Sequence, residues 1–254
     1  LGDLGVSSIC LGTWMFGGQT DEATAARIID MAREAGVNFI DTADVYAAGE
    51  SEHILGRHIA RNRERWVLAT KVGSVEGNPP GQRRLEGRLL MPSIEASLGR
   101  LRTDYVDIYY LHVPDPETPL AETLEAMGEI VRAGKARYFG FSNYNGWQIA
   151  DMVHLCDKLG VPRPIVCQPY YNALNRVAET EIFPACAHFG IGVAAFSPLA
   201  GGLLSGKYQP GAGFAQATRA GRRDTKFSEA EFREELVGRA HRIKTHAEAR
   251  GMTA

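Results

Sequence analysis

Four residues of this chain carry proton chemistry, and each stands at or just beyond the end of a short apolar run. Asp41 closes Asn38-Phe-Ile-Asp41, and Tyr46 follows in Asp41-Thr-Ala-Asp-Val-Tyr46. Lys71 ends Trp66-Val-Leu-Ala-Thr-Lys71, and His112 ends Val106-Asp-Ile-Tyr-Tyr-Leu-His112. A phenol, with a reference pKa of about 10, donates a proton near neutrality and is a poor base. An ammonium beside it favours the phenolate and lowers that pKa, and a carboxylate holds the ammonium charged. An imidazole can hydrogen-bond a substrate oxygen and stabilise developing charge. The set suits protonation of a carbonyl oxygen as it becomes an alkoxide. It lacks the strong nucleophile or metal cage that hydrolysis needs. Any one of the four taken alone reads more readily as a structural hydrogen-bonding residue, and Lys71 alone would serve equally as a Schiff-base lysine. Their joint occurrence on three successive run ends points to a site.

For those ends to meet, the runs must be parallel strands joined by helices. The pattern predicts strands at residues 7–12, 37–41, 66–71, 105–111, 136–141, 164–168 and 191–196. It predicts helices at 23–35, 51–61 (with Ser51 as its cap), 91–101, 120–133, 147–159, 179–188 and 228–250. Strand starts recur at about the thirty-residue length of one βαβ unit. The strands are apolar on both faces, as parallel strands covered by helices are. No Gly-x-Gly-x-x-Gly follows the first strand, which counts against an open dinucleotide-binding sheet. The expectation is one α/β domain over residues 1–254, a (β/α)8 TIM barrel whose functional residues gather at the C-terminal strand ends. Only seven strands are legible. Two open edges are costly, so an eighth strand is expected beyond Ala254.

Composition narrows the function. Thirty acidic residues against 28 Lys and Arg give a formal charge of −2, with no basic surplus for nucleic acid or an anionic membrane. No signal peptide and no apolar span of membrane length appears. Cys10, Cys156, Cys167 and Cys186 are widely spaced and read as reduced thiols, favouring a cytoplasmic setting. The His residues are scattered, and no metal site is expected.

Two further clusters imply a second reactant. Phe196-Ser-Pro-Leu-Ala-Gly-Gly-Leu-Leu-Ser-Gly-Lys207 follows strand seven, where barrels often bind phosphate, and Lys207 could neutralise a pyrophosphate. Ser142, Asn143 and Gln168 could grip a carboxamide, with capping as the alternative for the first two. Phe196 offers an aromatic face. Arg83, Arg84 and Arg88 lie in the Gly- and Pro-rich loop of residues 73–88 and read first as solvated surface, with attraction of an anionic or sugar-like ligand as the alternative.

Gly12-Thr-Trp14, Asp41-Thr-Ala-Asp-Val-Tyr46, Ala69-Thr-Lys71, Leu111-His112, Gly140-Phe-Ser-Asn143, Gln168 with Tyr171-Asn172, and Ser197-Pro-Leu199 occur in one order along the chain. In that order they resemble the aldo-keto reductases. The resemblance implies a (β/α)8 barrel and NADP(H)-dependent reduction of an aldehyde or ketone, including a sugar-like carbonyl. Its catalytic tetrad falls on Asp41, Tyr46, Lys71 and His112, with Tyr46 as proton donor. The cofactor contacts it implies are Thr13, Trp14, Gln19, Asp41, Ser142, Asn143, Gln168, Phe196, Ser197, Pro198, Leu199, Ala200, Gly201, Lys207 and Arg219. Trp14, Tyr46 and His112 would face the small-molecule carbonyl substrate. Many members have Tyr or Trp where this chain has Phe196, which keeps the aromatic face and loses a polar handle. Gly17-Gly-Gln19 and Pro114-Asp-Pro-Glu-Thr-Pro119 resemble the branch of bacterial reductases and potassium-channel β subunits. That branch adds a second reading, a redox-sensing regulatory partner. A Schiff-base lyase using Lys71 is a third. Oligomeric state is not legible.

Overall fold

The computed structural model describes residues 1–74, 85–215, 218, 220, 221 and 232–253. The chain divides into two compact units, Leu1–Pro169 with Glu181–Ala194, and Tyr170–Thr180 with Ala195–Ala254.

In the first unit strands and helices alternate. The order is β1 (Cys10–Gly12), α1 (Glu22–Glu34), β2 (Phe39–Asp41), α2 (Glu50–Ile59), β3 (Val67–Val72), α3 (Gly87–Leu101) and β4 (Val106–Leu111). It continues with α4 (Leu120–Arg132), β5 (Ala136–Ser142), α5 (Gly146–Leu159), β6 (Val166–Gln168), α6 (Ile182–Phe189) and β7 (Gly192–Val193). The seven strands form one sheet in chain order with every pairing parallel. This is the alternating pattern of the (β/α)8 fold, with seven strands among the described residues.

Strand side chains alternate between faces, and the apolar residues sort accordingly. Ile40, Leu68, Tyr109, Leu111, Phe139, Phe141 and Cys167 join the helices in one buried cluster. Phe39, Ala69, Ile108, Tyr110 and Val166 form another on the opposite face. Stepping two residues along a strand from Phe39, Ala69 and Val166 reaches Asp41, Lys71 and Gln168. The second apolar face therefore ends in the polar residues of the site. Gly140 lies in this layer because a Cβ there would meet Val166 O at 2.6 Å and the Tyr110 ring at 2.8 Å.

Several boundaries differ from the sequence pattern for local reasons. β1 begins at Cys10 rather than residue 7, because the Ser7 hydroxyl donates to Ile9 O and its N–H to the Asn38 side chain. Ser51 does not cap α2: Gly49, with φ +92°, stands at the N-cap. Helix α3 starts at Gly87, so Pro92 sits a turn inside it rather than at its start. The expected 179–188 helix splits into a 3-10 turn, Val177–Glu179, and α6. The start predicted at Ser228 for the last helix, and Arg83, Arg84 and Arg219, lie outside the described residues.

The second unit is organised by Asn172. Its Oδ1 accepts from Leu174 N and Asn175 N, and its Nδ2 donates to Ser197 O at 3.1 Å, tying the 170–180 segment to the glycine-rich loop. Ala200, Leu203, Leu204 and Tyr208 then pack against Val237 and Ala240 of α7 (Glu234–Glu248). Among the described residues no helix is long and apolar enough to cross a membrane.

Candidate active site

Parallel register brings the C-terminal ends of β1 to β6 to one edge of the sheet, with Asp41 opposite Ala69, Lys71 opposite Tyr110 and Ser142 opposite Gln168. Lys71 is fully buried. Its ammonium has three hydrogens, and three acceptors meet them: the Asp41 carboxylate, Thr42 O at 2.8 Å and the Tyr46 phenol oxygen at 3.2 Å. The His112 ring stands edge-on to Tyr46 with centroids 6.0 Å apart. The four residues singled out from the sequence therefore share one site. Thr42, which the sequence reading did not single out, completes the ammonium's shell through its carbonyl.

Tyr46 begins a tight turn in which Ala47 and Ala48 adopt left-handed backbone (φ 49° and 54°) before Gly49 opens α2. Alanine pays for that conformation with roughly 1–2 kcal/mol per residue. The strained residues directly follow Tyr46.

Charge and burial set the protonation states. Burial alone would push Lys71 down, but Asp41 and then Tyr46 outweigh it and hold the ammonium above its ordinary pKa. The Tyr46 phenol moves upward, chiefly through burial, and the opposing pull of Lys71 only reduces the rise. This corrects the expectation that Lys71 would set the phenol below its ordinary value: removing the phenolate from water costs more than the cation returns. Burial, reinforced by the Lys71 charge, drops His112 to about 3, so its ring is neutral. His112 Nδ1 is buried without a hydrogen-bond partner. The residue's backbone is fixed, N–H to Val72 O at 2.8 Å and carbonyl to Asn143 Nδ2 at 2.9 Å.

The other strand-end residues are partly engaged with the fold. Gln168 Nε2 donates to Asp41 Oδ2 at 3.0 Å, and the Ser142 hydroxyl donates to Gln168 O at 2.6 Å. Asn143, with φ 65°, also donates to Ser142 Oγ. The Thr13 hydroxyl meets Asp41 O and the hydroxyl of Ser51, and Ser51 returns a bond to Thr13 O. Ser51 thus locks the β1 loop to the β2 end rather than capping a helix. Trp14 is half-buried and Gln19 exposed on the loop after β1.

In the second unit Phe196 packs its ring against Tyr170, with centroids 5.3 Å apart. Ser197, Ala200, Gly201, Gly202 and Gly206 all have positive φ, so the loop turns repeatedly and presents backbone. A Cβ on Gly202 would come within 3.0 Å of the Lys207 ammonium. Backbone bared at Gly201 and Gly202, with the Lys207 ammonium beside Gly202, suits a diphosphate. In the first unit the hydroxyl and amides of Ser142, Asn143 and Gln168 have the donor and acceptor types that a carboxamide needs. Each unit taken by itself thus carries residue types suited to one part of a nicotinamide dinucleotide. Pro198 and Leu199 are exposed on the same loop. No cluster of metal-ligating side chains occurs among the described residues.

Comparison with known proteins places the chain among oxidoreductases and channel subunits. The chain is 42% identical over 229 residues to the uncharacterized oxidoreductase YrpG of Bacillus subtilis (strain 168), covering 85% of this chain and 70% of that protein. It is 41% identical over 215 residues to a probable voltage-gated potassium channel subunit beta of Arabidopsis thaliana, covering 82% and 65%. It is 40% identical over 202 residues to the human aflatoxin B1 aldehyde reductase member 2, covering 78% and 55%. The chain thus spans between about half and 70% of the length of these relatives. Residues 8–251 match the sequence profile of the Aldo/keto reductase family. With oxidoreductases among its relatives and the fold's strand ends carrying an Asp, Tyr, Lys and His in contact, the chain belongs to the aldo/keto reductase family.

Proposed function

We propose that this protein reduces an aldehyde or ketone to an alcohol, reversibly and with NADP(H), using Tyr46 as the proton donor. The observation that carries the reading is the direction of the Lys71–Tyr46 hydrogen bond. The ammonium donates to the phenol oxygen, so the phenol's own hydrogen is turned to another acceptor, where a carbonyl oxygen would receive it. Asp41 holds Lys71 charged and in place. A neutral His112 can donate one N–H to the same substrate oxygen and orient it, without competing as an acid. Lys71 is fully buried and Tyr46 half-buried, so water is kept from the ammonium and its interactions are strengthened.

The nicotinamide nucleotide supplies the hydride when bound. Thr13, Trp14, Gln19, Asp41, Ser142, Asn143 and Gln168 would hold its nicotinamide end, with Phe196 as the stacking face. Ser197, Pro198, Leu199, Ala200, Gly201 and Lys207 would hold its diphosphate, and Arg219 is assigned near it by family resemblance. Trp14, Tyr46 and His112 would line the substrate pocket. The match over residues 8–251 crosses both compact units, which supports one catalytic domain. The four cysteines are free thiols, in keeping with a cytoplasmic setting.

A redox-sensing regulatory subunit is the second reading, and the Arabidopsis relative's name supports it. A Schiff-base lyase is disfavoured, because such a lysine must shed its proton and Lys71 is held as an ammonium. A spectrophotometric screen of NADPH oxidation across aldehydes, ketones and sugars, repeated with NADH, tests the proposal. Failure of every carbonyl with both nucleotides would sink it. Borohydride trapping of a substrate on Lys71 without any nucleotide would replace it with the lyase.

A further inference from the structure

Three fully buried threonines each stand one residue from a functional side chain of the site: Thr13 before Trp14, Thr42 after Asp41 and Thr70 before Lys71. They lie at the C-terminal ends of β1, β2 and β3, and their hydroxyls converge on two consecutive residues of α2, Ser51 and Glu52. Both of these are fully buried as well. The Ser51 hydroxyl is 2.8 Å from that of Thr13 and 2.9 Å from that of Thr42. Its one hydrogen goes to Thr13 O at 3.0 Å, so Thr42 is the donor in the bond to Ser51. Thr70 donates to one Glu52 oxygen at 2.5 Å, and Arg100 of α3 donates to the other at 2.6 Å. Arg100 also lies against Gly49, where a Cβ would come within 3.0 Å of its Cδ. Gly49 ends the turn that Tyr46 begins.

We propose that Ser51 and Glu52 are positioning residues for the reaction: through the three threonine hydroxyls they clamp the strand ends to the start of α2, and so fix how far the Lys71 ammonium stands from the Tyr46 phenol. The case is one of alternation and connection. Strand side chains point to the two faces of a sheet in turn. Thr70 pairs with Tyr109 of the helix-facing cluster, so it reaches α2 while Lys71 beside it reaches the site. Tyr46 stands on no strand. It is carried by the turn that enters α2, and Ser51 and Glu52 tie that helix back to the strands. The same helix thus governs the phenol and two supports of the ammonium. Thr42, held by Ser51, supplies the carbonyl that takes one ammonium hydrogen, and Thr70, held by Glu52, adjoins Lys71 itself. Arg100 matches the Glu52 charge, so the clamp adds no net charge beside Lys71. Ser51 and Glu52 touch neither substrate nor the reacting atoms, and act through Thr42, Thr70 and the Tyr46 turn.

The inference rests on Tyr46 as the acid, so its test reads the Lys71–Tyr46 bond directly as well as turnover. In protein labelled with carbon-13 at tyrosine Cζ, the Tyr46 signal, assigned with Tyr46→Phe, responds to the hydrogen bond that its oxygen accepts. Thr70→Val keeps the charges and the side-chain shape and removes only the hydroxyl. It should displace the Tyr46 signal by more than its linewidth and lower kcat by about 10-fold, with nucleotide Kd unchanged. Thr70→Ser, which keeps the hydroxyl, should restore both. Ser51→Ala should displace the signal too, and it carries the test if Thr70→Val does not fold. A merely structural role would lower the unfolding midpoint and leave the signal of the folded protein in place. The proposal is overturned if the signal keeps its wild-type position in Ser51→Ala and in any folded Thr70→Val, or if Thr70→Ser displaces it as far as Thr70→Val does. Displaced signals in a protein whose Tyr46→Phe variant keeps full activity would overturn Tyr46 as the acid and leave the clamp standing.

Discussion

The Lys71 ammonium donates to the Tyr46 phenol oxygen at 3.2 Å while its other two hydrogens go to Asp41 and to Thr42 O. No hydrogen of the ammonium is left to turn elsewhere, so the phenol oxygen is held as an acceptor and its O–H as the outward donor. Removing that donor should be felt in chemistry and little in binding. Tyr46→Phe should lower kcat by about 10²–10⁴-fold with nucleotide Kd unchanged, read by steady-state kinetics beside fluorescence titration of the nucleotide. A matching loss of nucleotide affinity would point to a structural role instead.

The same ion pair is buried on both sides. Lys71→Met should cost about 3–5 kcal/mol, because it strands the Asp41 charge. Adding Asp41→Asn should return part of that loss, since the stranded charge is then gone. Urea unfolding of both variants checks the order. A double variant less stable than Lys71→Met would contradict it.

His112 contributes a pH dependence of predictable sign. Its folded pKa is depressed to about 3 from an ordinary 6.5, so between those values the unfolded chain binds a proton that the folded chain refuses. The stability it supports is present above pH 6.5 and is lost as the pH falls, by about 2 kcal/mol on reaching pH ~5. Thermal unfolding across this range should show a shallower acid slope in His112→Gln than in wild type.

Ala48 is exposed in left-handed backbone. With little packing to lose, Ala48→Gly should stabilise the protein by about 1 kcal/mol, seen as a higher denaturant midpoint. A lower kcat in the more stable variant would tie the turn's strain to the aim of Tyr46.

Gly140→Ala should do the reverse. Its Cβ would meet the β6 backbone at 2.6 Å and the Tyr110 ring at 2.8 Å, and the backbone cannot yield. The expected cost is about 1–3 kcal/mol. The displaced Tyr110 ring, 5.9 Å from the Lys71 ammonium, should carry some of that strain into kcat.

The strands and the gathering of Asp41, Tyr46, Lys71 and His112 were legible because both rest on short-range pattern. Apolar runs ending in Asp41, Lys71 and His112 mark the ends of parallel strands, and β4 departs from its expected start by a single residue. What pattern could not carry was competition by side chains. Ser7 draws its own backbone out of β1, and Glu179 spends its carboxylate on Tyr171 and Arg176 rather than opening a helix. Ser51 sits where a cap belongs by spacing, but its hydroxyl serves Thr13, 38 residues away. The helix expected from residue 91 begins at Gly87, four residues earlier. The upward shift of Tyr46 was missed for a different reason: burial is a property of the assembled sheet and not of the residues beside it. Thr42 could have been found, because its carbonyl directly follows Asp41.

The Gln168–Asp41 bond joins residues 127 apart in sequence, on strands that three others separate within the sheet. Such strands reach one another only if the sheet bends far enough to bring their inward side chains face to face. The carboxylate that steadies the ammonium is therefore also a clasp on the curvature of β2 through β6. Asp41→Asn keeps an oxygen for Gln168 and gives up the charge, whereas Asp41→Ala gives up both. The difference between the two variants measures the clasp apart from the chemistry.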